Sequence, residues 1–242
     1  MCPDSLKDEQ VYVDRGVLYL VSTPIGNLDD ITLRALKVLK EVDLVAAEDT
    51  RHTGILLKHY GLHKSIISYH DFNKERKAPF LIEQLKAGKS VAVTSDAGTP
   101  GISDPGYLLV QQAIRESIRV VPIPGASAFL SALVVSGLPT DKFVFEGFLS
   151  PKQGKRRKRL EALQGEQRTI ILYESPHRFA KTLDDISEVL GQRKMVIARE
   201  LTKKFEEIIR GTPEEIKQSL GERKIKGELV ILIEGKREKT PF

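Results

Sequence analysis

The sequence predicts an α/β protein of two domains, and three observations support this prediction. Short apolar runs alternate with amphipathic helical patterns over residues 17–136, which is typical of a largely parallel sheet covered by helices on both faces. Turn and helix-stopping residues then cluster at Gly137–Asp141. Beyond this cluster fewer helices separate the strands, which indicates a mixed sheet. We therefore expect one domain at residues 15–137 and another at residues 141–236, both of ordinary domain size.

Each element follows from its local pattern, since short β-branched runs favour buried strands and apolar residues at helical spacing favour helices. In the first domain we predict strands at Val17–Ser22, Leu44–Ala47, Ile66–Tyr69, Ser90–Thr94 and Val120–Ile123. The helices of that domain are predicted at Asp30–Lys40, Thr50–Tyr60, Lys74–Ala87, Tyr107–Arg115 and Ala126–Ser136. In the second domain we predict strands at Phe143–Phe148, Thr169–Tyr173, Met195–Arg199, Glu207–Arg210 and Leu229–Glu234. Its helices are predicted at Lys152–Leu163, His177–Leu190 and Pro213–Leu220.

Composition favours a globular protein of the cytoplasm. The chain has 242 residues, of which 40% are hydrophobic and 29% are charged, as in ordinary globular domains. Cys2 is the only cysteine, so no internal disulfide can form and a reducing compartment is expected. The first residues are polar and lack the apolar core of a signal peptide. No apolar run approaches the roughly 18–20 residues of a membrane helix, so we expect no membrane association.

Positive charge is concentrated in one segment. The net charge is +5, but residues 152–159 alone hold six cations in eight positions. Such a one-signed block suits nucleic-acid phosphates, although a solvated helix face is the ordinary alternative for a charge run. The candidate RNA-binding residues are Lys152, Lys155, Arg156, Arg157 and Arg159, with Lys158 completing the block.

Several common catalytic motifs are absent from the sequence. No G-x-G-x-x-G follows a strand, and no G-x-S-x-G occurs. Gly88-Lys89-Ser90 resembles the end of a phosphate-binding loop, but Glu83 stands where that motif requires glycine. His59 and His63 have helical spacing, yet the glycine between them disfavours a shared helical face. We expect no catalytic metal.

The most informative segment is the loop Ser95–Gly106, with sequence SDAGTPGISDPG. Connections between strands and helices usually have about 2–6 residues, so this loop is unusually long. Asp104 and Pro105 could begin the next helix as its N-cap and first residue, but that leaves the preceding residues unexplained. Ligands of open α/β sheets bind at the carboxyl ends of strands, so we expect Asp96–Gly101 to contact a ligand.

Further loops of this kind follow other predicted strands, and together they predict a cleft. They are Ser22–Asn27 (STPIGN), Ala47–Arg51 (AEDTR), Pro122–Ala128 (PIPGASA), Tyr173–Arg178 (YESPHR) and Gly227–Val230 (GELV). Ordinary turn and cap roles explain part of them. Asp49 or Thr50 could cap a helix, while Ser175 and Pro176 could be the N-cap and first residue of another.

Read together, these motifs resemble the tetrapyrrole methylase superfamily, and within it the branch that methylates small-subunit ribosomal RNA. The resemblance covers about residues 15–235. It implies two α/β domains of the class III methyltransferase type, with S-adenosylmethionine in a cleft between them, and a homodimer. The implied reaction is 2′-O-methylation of a cytidine ribose in the decoding region of 16S rRNA. Longer members carry a further C-terminal helical segment, whereas this sequence ends soon after Gly235.

The resemblance also implies the cofactor-binding residues. Carried over by position, they are Pro24, Ile25, Asp96, Gly98, Thr99, Ser127, Ala128, Tyr173, Gly227 and Glu228.

The reaction needs a base, because a ribose hydroxyl is a poor nucleophile until its proton is being removed. The candidates are Glu48, Asp49, Glu174 and His177, and the residues alone do not single out one of them. Arg51 and Arg178 are candidates for orienting phosphate or carboxylate partners. Two other functions remain compatible with parts of the sequence, namely methylation of a corrin or other tetrapyrrole and RNA binding without catalysis.

Overall fold

The computed structural model describes residues 12–221 and 223–237 and divides the chain into two compact units, Met1–Ala126 and Ser127–Phe242. Cys2 lies outside the described residues. The division after Ala126 lies earlier in the chain than the predicted linker at Gly137–Asp141. The helix between these two points, Ala128–Ser136, belongs to the second unit. That helix packs on strands of the second sheet, which explains why the division comes earlier in the chain.

The first unit is built on a five-stranded parallel sheet. Its strands are β1 (Leu18–Val21), β2 (Leu44–Ala47), β3 (Ile66–Ser68), β4 (Val91–Thr94) and β5 (Val120–Ile123), in the order β3-β2-β4-β1-β5. Its helices are α1 (Leu33–Glu41), α2 (Thr50–His59), α3 (Lys74–Lys86) and α4 (Tyr107–Arg115). A short 3-10 helix at Leu28–Asp30 precedes α1, and Thr32 caps α1.

The alternation of buried residues along the strands explains why helices cover both faces of this sheet. Tyr19 and Val45 pack with α1 and α2 in one core cluster. Leu18 and Ala46, one position along, pack with α3 and α4 in another. The prediction of a parallel sheet covered on both faces is therefore confirmed.

The second unit contains a mixed five-stranded sheet, as predicted. Its strands are β6 (Phe143–Phe148), β7 (Thr169–Glu174), β8 (Met195–Arg199), β9 (Glu207–Gly211) and β10 (Leu229–Ile233), in the order β6-β7-β10-β8-β9. Only the β6–β7 pair is parallel, and the other pairs are antiparallel. The helices are α5 (Ala128–Ser136), α6 (Gln153–Ala162), α7 (Phe179–Leu190) and α8 (Pro213–Leu220).

Helices α1, α5, α6 and α7 begin one to three residues later than predicted, whereas α4 begins where predicted but without the proposed cap. Helix α4 begins at Tyr107 with Gly106 at its N-cap, so Asp104 and Pro105 lie outside the helix. Helix α7 has Arg178 at its N-cap, and Ser175 instead accepts backbone bonds in the preceding turn. Helix α5 begins two residues later than predicted, at Ala128. In the residues that the structure describes, no helix is long and apolar enough to cross a membrane.

Candidate functional site

The loops after β1 and β4 are joined at the carboxyl edge of the first sheet. Thr23 and Gly98 form an antiparallel bridge, in which each amide donates to the other residue's carbonyl at 2.9 and 3.1 Å. Ser22 Oγ lies 2.9 Å from Thr99 Oγ1, and Ile25 is buried. The fold thus brings together the predicted cofactor residues Pro24, Ile25, Gly98 and Thr99.

Close backbone packing in these loops requires glycine at two positions. Gly98 has φ +81°, a left-handed conformation that side chains disfavour. At Gly125 a Cβ atom would lie 2.9 Å from Ser22 Cβ, which is closer than real side chains approach. The loop before α5 therefore packs directly on the loop after β1, and a larger residue would separate them.

The loops after β2 and β4 are joined through Asp96. Asp49 donates its backbone amide to Asp96 Oδ1 at 2.9 Å, and the Asp96 amide donates to Glu48 Oε2 at 3.3 Å. His52 Nδ1 lies 3.4 Å from Asp96 Oδ2. The fold therefore places Asp96, predicted to bind the cofactor, directly beside Glu48, predicted as a base.

Two carboxyl groups at this edge are held in an environment that favours the proton. Burial raises the pKa of Glu48, and the negative charge of Asp96 adds to this effect. Burial also raises the pKa of Asp104 to about 7, with a further contribution from the charge of Glu48. Carboxyl groups with raised pKa values are typical of sites that transfer protons near neutral pH. Asp104 was predicted only as a helix cap, which is wrong, because Gly106 is the N-cap of α4.

Asp49 has a different environment from Glu48, although the two are adjacent in sequence. Its Oδ1 accepts the Arg51 amide at 2.8 Å, which makes it the N-cap of α2. The Arg51 guanidinium also donates to both Asp49 oxygens. These bonds hold the Asp49 pKa well below its usual range. Asp49 is therefore explained as a helix cap, and the Arg51 side chain binds the same carboxylate.

The segment after β3 also lies at this edge, although no residue of it was predicted as part of the site. Ala47 is in register with Ser68 on one side and Thr94 on the other, so residues after all three strands share one edge. There the His70 amide donates to Asn73 Oδ1 at 2.9 Å, and Asn73 Nδ2 lies 3.1 Å from His70 Nε2. His70 acts electrostatically on Glu48 and lowers its pKa slightly. The available signal was the run of polar residues directly after a predicted strand.

In the second unit, Glu174 is part of the packed structure. Its side chain is 1% exposed and is bound by the Ser175 amide at 2.7 Å, Thr182 Oγ1 at 2.6 Å and Arg178 Nη2 at 2.6 Å. These partners occupy the carboxylate, so the structure argues against Glu174 as the base. Arg178 also donates to the Leu149 carbonyl at 3.1 Å, so it holds its own loop.

Other predicted cofactor residues of the second unit lie at one end of its sheet. Leu229 pairs with Glu174 and Val230 with Tyr173, so Tyr173 lies at the same end of the sheet as Gly227 and Glu228, which directly precede β10. The Tyr173 ring contacts those of Phe145 and Phe148, with centroids 5.0 and 5.5 Å away.

Glu228 is held by backbone and side-chain contacts. Lys203 Nζ lies 2.9 Å from its carboxylate, and its amide donates to Glu200 at 3.0 Å. Ser127 is the N-cap of α5, and Ala128 is the first residue of that helix. His177 is exposed before α7 and, unlike Glu174, is not enclosed by its own loop.

The basic helix α6 is only partly available to a polyanion. Arg156 is buried against Asp185, with Nε 2.7 Å from Oδ2 and side chains 3% and 1% exposed. Arg157 pairs with Glu188, and Arg159 pairs through two bonds with Glu146. The prediction that Arg156 binds RNA is therefore wrong, because its guanidinium is enclosed in the core.

Three lysines remain at the surface of this segment, each exposed to solvent and spaced by three residues. They are Lys152, Lys155 and Lys158. Residues three apart are neighbours on a helix, so these lysines form a ridge that we call the lysine ridge.

The chain matches the sequence model of the tetrapyrrole (corrin/porphyrin) methylases over residues 17–217. A ribosomal RNA small subunit methyltransferase I from Halalkalibacterium halodurans is 51% identical over 97% of this chain and 82% of that protein. The protein of the same name from Escherichia coli O157:H7 is 51% identical over 91% of this chain and 78% of that protein. The one from Thermotoga maritima is 48% identical over 91% of this chain and 99% of that protein.

Solved structures share the fold at low sequence identity. The methyltransferase CobJ superposes with a TM-score of 0.68 at 18% identity, covering 92% of this chain and 97% of that one. A uroporphyrin-III C-methyl transferase from Thermus thermophilus, complexed with S-adenyl homocysteine, has a TM-score of 0.61 at 20% identity. It covers 91% of this chain and 97% of that one. With the family model spanning most of both sheets, the chain belongs to the tetrapyrrole (corrin/porphyrin) methylase family.

Proposed function

We propose that this chain transfers a methyl group from S-adenosylmethionine to the ribose 2′-hydroxyl of a cytidine in the decoding region of 16S rRNA. The observation that supports this most is about 50% identity, over nearly the whole chain, to proteins named ribosomal RNA small subunit methyltransferase I. The exposed lysine ridge is a second support, since a small corrin substrate would not need it. Acting on ribosomal RNA, the chain would work in the cytoplasm.

The first unit offers groups that fit the cofactor. Pro24 and Ile25 supply apolar surface, Thr99 supplies a hydroxyl, and the partly exposed carboxylate of Asp96 can accept bonds from hydroxyl or ammonium groups. A nucleoside with an amino-acid side chain presents matching groups. When bound, S-adenosylmethionine supplies a methyl group on a positively charged sulfur. The second-unit residues implied by the resemblance stay a prediction.

Among the candidate bases, Glu48 fits best. Asp49 is engaged by Arg51, and Glu174 is enclosed by three partners. Glu48 instead has a raised pKa and lies beside Asp96 at the edge where the loops of the first sheet meet. A raised pKa makes a carboxylate a stronger base for a hydroxyl proton. In this proposal Glu48 accepts the proton of the ribose hydroxyl, and positioning supplies much of the remaining rate.

Labelled S-adenosylmethionine tests the proposal directly. The purified chain is incubated with undermethylated small ribosomal subunits, with naked 16S rRNA, or with a corrin precursor. We expect label in the rRNA, located to a cytidine 2′-O position by nuclease-resistant dinucleotide mapping. Label in the corrin would support the small-molecule alternative. Binding of RNA without any transfer would support a non-catalytic role. Either result would contradict the proposal.

We also propose that the chain forms a homodimer, with α5 in the interface. Leu130, Val134 and Val135 project from this helix into solvent, and Val134 is 71% exposed. Apolar residues grouped in this way are typical of protein interfaces. Sedimentation equilibrium should give a dimer for the wild type and a monomer for Val134→Asp. A wild type that remains monomeric at micromolar concentration would rule the dimer out.

A further inference from the structure

We propose that a groove between α7 and α8 binds one unstacked nucleotide of a single-stranded RNA segment. The inference rests on the proposed function, because it takes RNA as the macromolecular substrate. The groove has a volume of about 540 Å³ and lies wholly within the second unit. Sites for small ligands usually enclose roughly 300–1,000 Å³, so a nucleotide can be accommodated.

The floor of the groove is apolar. Phe179 and Leu183 of α7 are buried there, and Leu220 of α8 and Ile225 are half-buried. Ala180 lines the same groove with an exposed, small side chain, which leaves the space above it open. An apolar floor suits the face of a nucleobase, because bases bind proteins largely by stacking and apolar contact.

The rim of the groove is cationic. Lys217, Arg223 and Lys224 border it, together with the exposed His177. Arg223 is held by Glu207 at 2.7 Å, and Lys217 lies 2.6 Å from Asp184, the carboxylate of the groove. Lys217 and Arg223 thus each face a carboxylate, and Lys224 gives the described part of the rim its remaining positive charge, which is complementary to a phosphate group. An apolar floor with a positive rim matches a base and its phosphate.

The surface between the groove and α6 is close to neutral, because the carboxylates Asp184, Asp185 and Glu188 each pair with a cation. A smaller depression of about 210 Å³ shares Asp184 and Lys217 with the groove and extends to Gln153 at the start of α6. Gln153 follows Lys152, the first member of the lysine ridge. An extended polyanion can therefore occupy the groove and reach the ridge, which a small anion cannot do. A base can enter the groove only when it is unstacked, so the RNA is single-stranded at this point.

Filling the groove tests the inference. Ala180→Trp blocks the apolar floor, and Ala180→Ser is the matched control that adds little volume. Fluorescence anisotropy with a labelled single-stranded RNA of about twelve nucleotides should show about tenfold weaker binding for Ala180→Trp, as expected when one base contact is lost. Ala180→Ser should bind as the wild type does.

Reversing a charge at the rim is the second test, and it does not depend on the folding of the tryptophan variant. Lys224→Glu should weaken binding several-fold and reduce its salt dependence. Lys58→Glu, on the exposed surface of α2 in the other unit, is the matched control and should change neither. Photocrosslinking of a thiouridine-labelled RNA should yield adducts at residues 176–184 or 217–225.

Several results would overturn the inference. They are unchanged RNA binding by Ala180→Trp together with Lys224→Glu, an equal loss for duplex RNA, or tighter wild-type binding of an acidic peptide. These results are independent of the test of function. If the wild type transfers no methyl group to any RNA, the proposed function fails, whether or not oligonucleotides bind the groove. If transfer occurs and groove variants bind normally, only the groove is excluded.

Discussion

Two glutamates at strand ends, Glu48 in the first unit and Glu174 in the second, have opposite environments. After β2 of the first unit, Glu48 is half-buried beside another acid, and its pKa is raised. After β7 of the second unit, Glu174 is buried against Arg178 and Thr182, which satisfy both of its oxygens. Both residues end a strand in a polar loop, and in sequence they look alike. They differ in their neighbours: Glu174 is bound by a cation and a hydroxyl, whereas Glu48 lies beside another carboxylate.

The same contrast holds for the cations. In the second unit, Arg156, Arg157 and Arg159 of the basic segment each face a carboxylate on a neighbouring element. A charge run in sequence therefore divides into residues that neutralise the protein itself and residues left for a partner. We infer that the charged groups used in function are those without an opposite charge beside them. These are Glu48 and Asp104 in the first unit and the lysine ridge in the second.

The largest expected effect is on methyl transfer. Glu48→Gln should lower the single-turnover rate by about 10²–10⁴-fold, the usual contribution of a general base. Cofactor affinity, measured by calorimetry, should remain. Glu174→Gln is the matched variant in the other unit, and it should reduce stability while leaving the rate of the folded fraction within a few-fold. A Glu48→Gln enzyme as fast as wild type would remove Glu48 from the mechanism.

The next effect concerns the buried pair in α6 and α7. Arg156→Ala should cost about 3–5 kcal/mol in the free energy of unfolding, because it leaves Asp185 buried without its cation. The double variant Arg156→Met with Asp185→Leu should recover most of this loss, since an apolar pair of similar size needs no neutralisation. Urea denaturation measures both. An Arg156→Ala protein of wild-type stability that binds RNA weakly would restore Arg156 as an RNA contact.

Most of the fold could be predicted from the sequence, because local pattern determines its elements. The alternation of Leu18 and Tyr19 between two cores is visible as a short apolar run with helices on either side. The division between the units could not be predicted in this way. Helix α5 is apolar around its circumference, and only tertiary packing assigns it to the second sheet.

The candidate site was predicted as a set of loops, but the roles of individual residues were not. Loop length predicted a ligand loop at Asp96–Gly101, because connections this long are uncommon unless they have a function. Whether an acid is free or paired depends on residues far away in sequence. Asp185, which neutralises Arg156, is 29 positions away. Asp104 was assigned to a helix start because of the proline after it, although Gly106 has that place.

A smaller effect is expected on RNA affinity. The double variant Lys155→Glu with Lys158→Glu should weaken RNA binding about tenfold at moderate salt and reduce the slope of log affinity against log salt by about 1–2. Arg159→Gln is the control in the same helix, because Arg159 is already bound to Glu146. It should alter RNA affinity much less. Filter binding at several salt concentrations distinguishes the two. Equal losses in both would mean that the paired arginines also contact RNA.

The smallest effect is a pH dependence of stability that comes from Asp104. Its folded pKa of about 7 lies above the usual aspartate pKa of 3.8, so between these pH values the folded state binds more protons than the unfolded state. Stability from this group is therefore complete below about pH 4 and is lost as pH rises toward 7.

Asp104→Asn removes the charge that is unfavourable in the folded state, so at pH 8 it should raise the free energy of unfolding by about 1 kcal/mol. This is less than the whole pKa shift of Asp104 implies, because its side chain is partly solvated. At pH 4 the variant and the wild type should be equally stable. Glu174→Gln should be destabilising at pH 8, because it breaks a buried pair. Opposite signs for the two substitutions at one pH would establish that burial destabilises the charged form of Asp104, whereas Arg178 and Thr182 stabilise that of Glu174. A destabilised Asp104→Asn at pH 8 would instead mean that this carboxylate has a partner in solution.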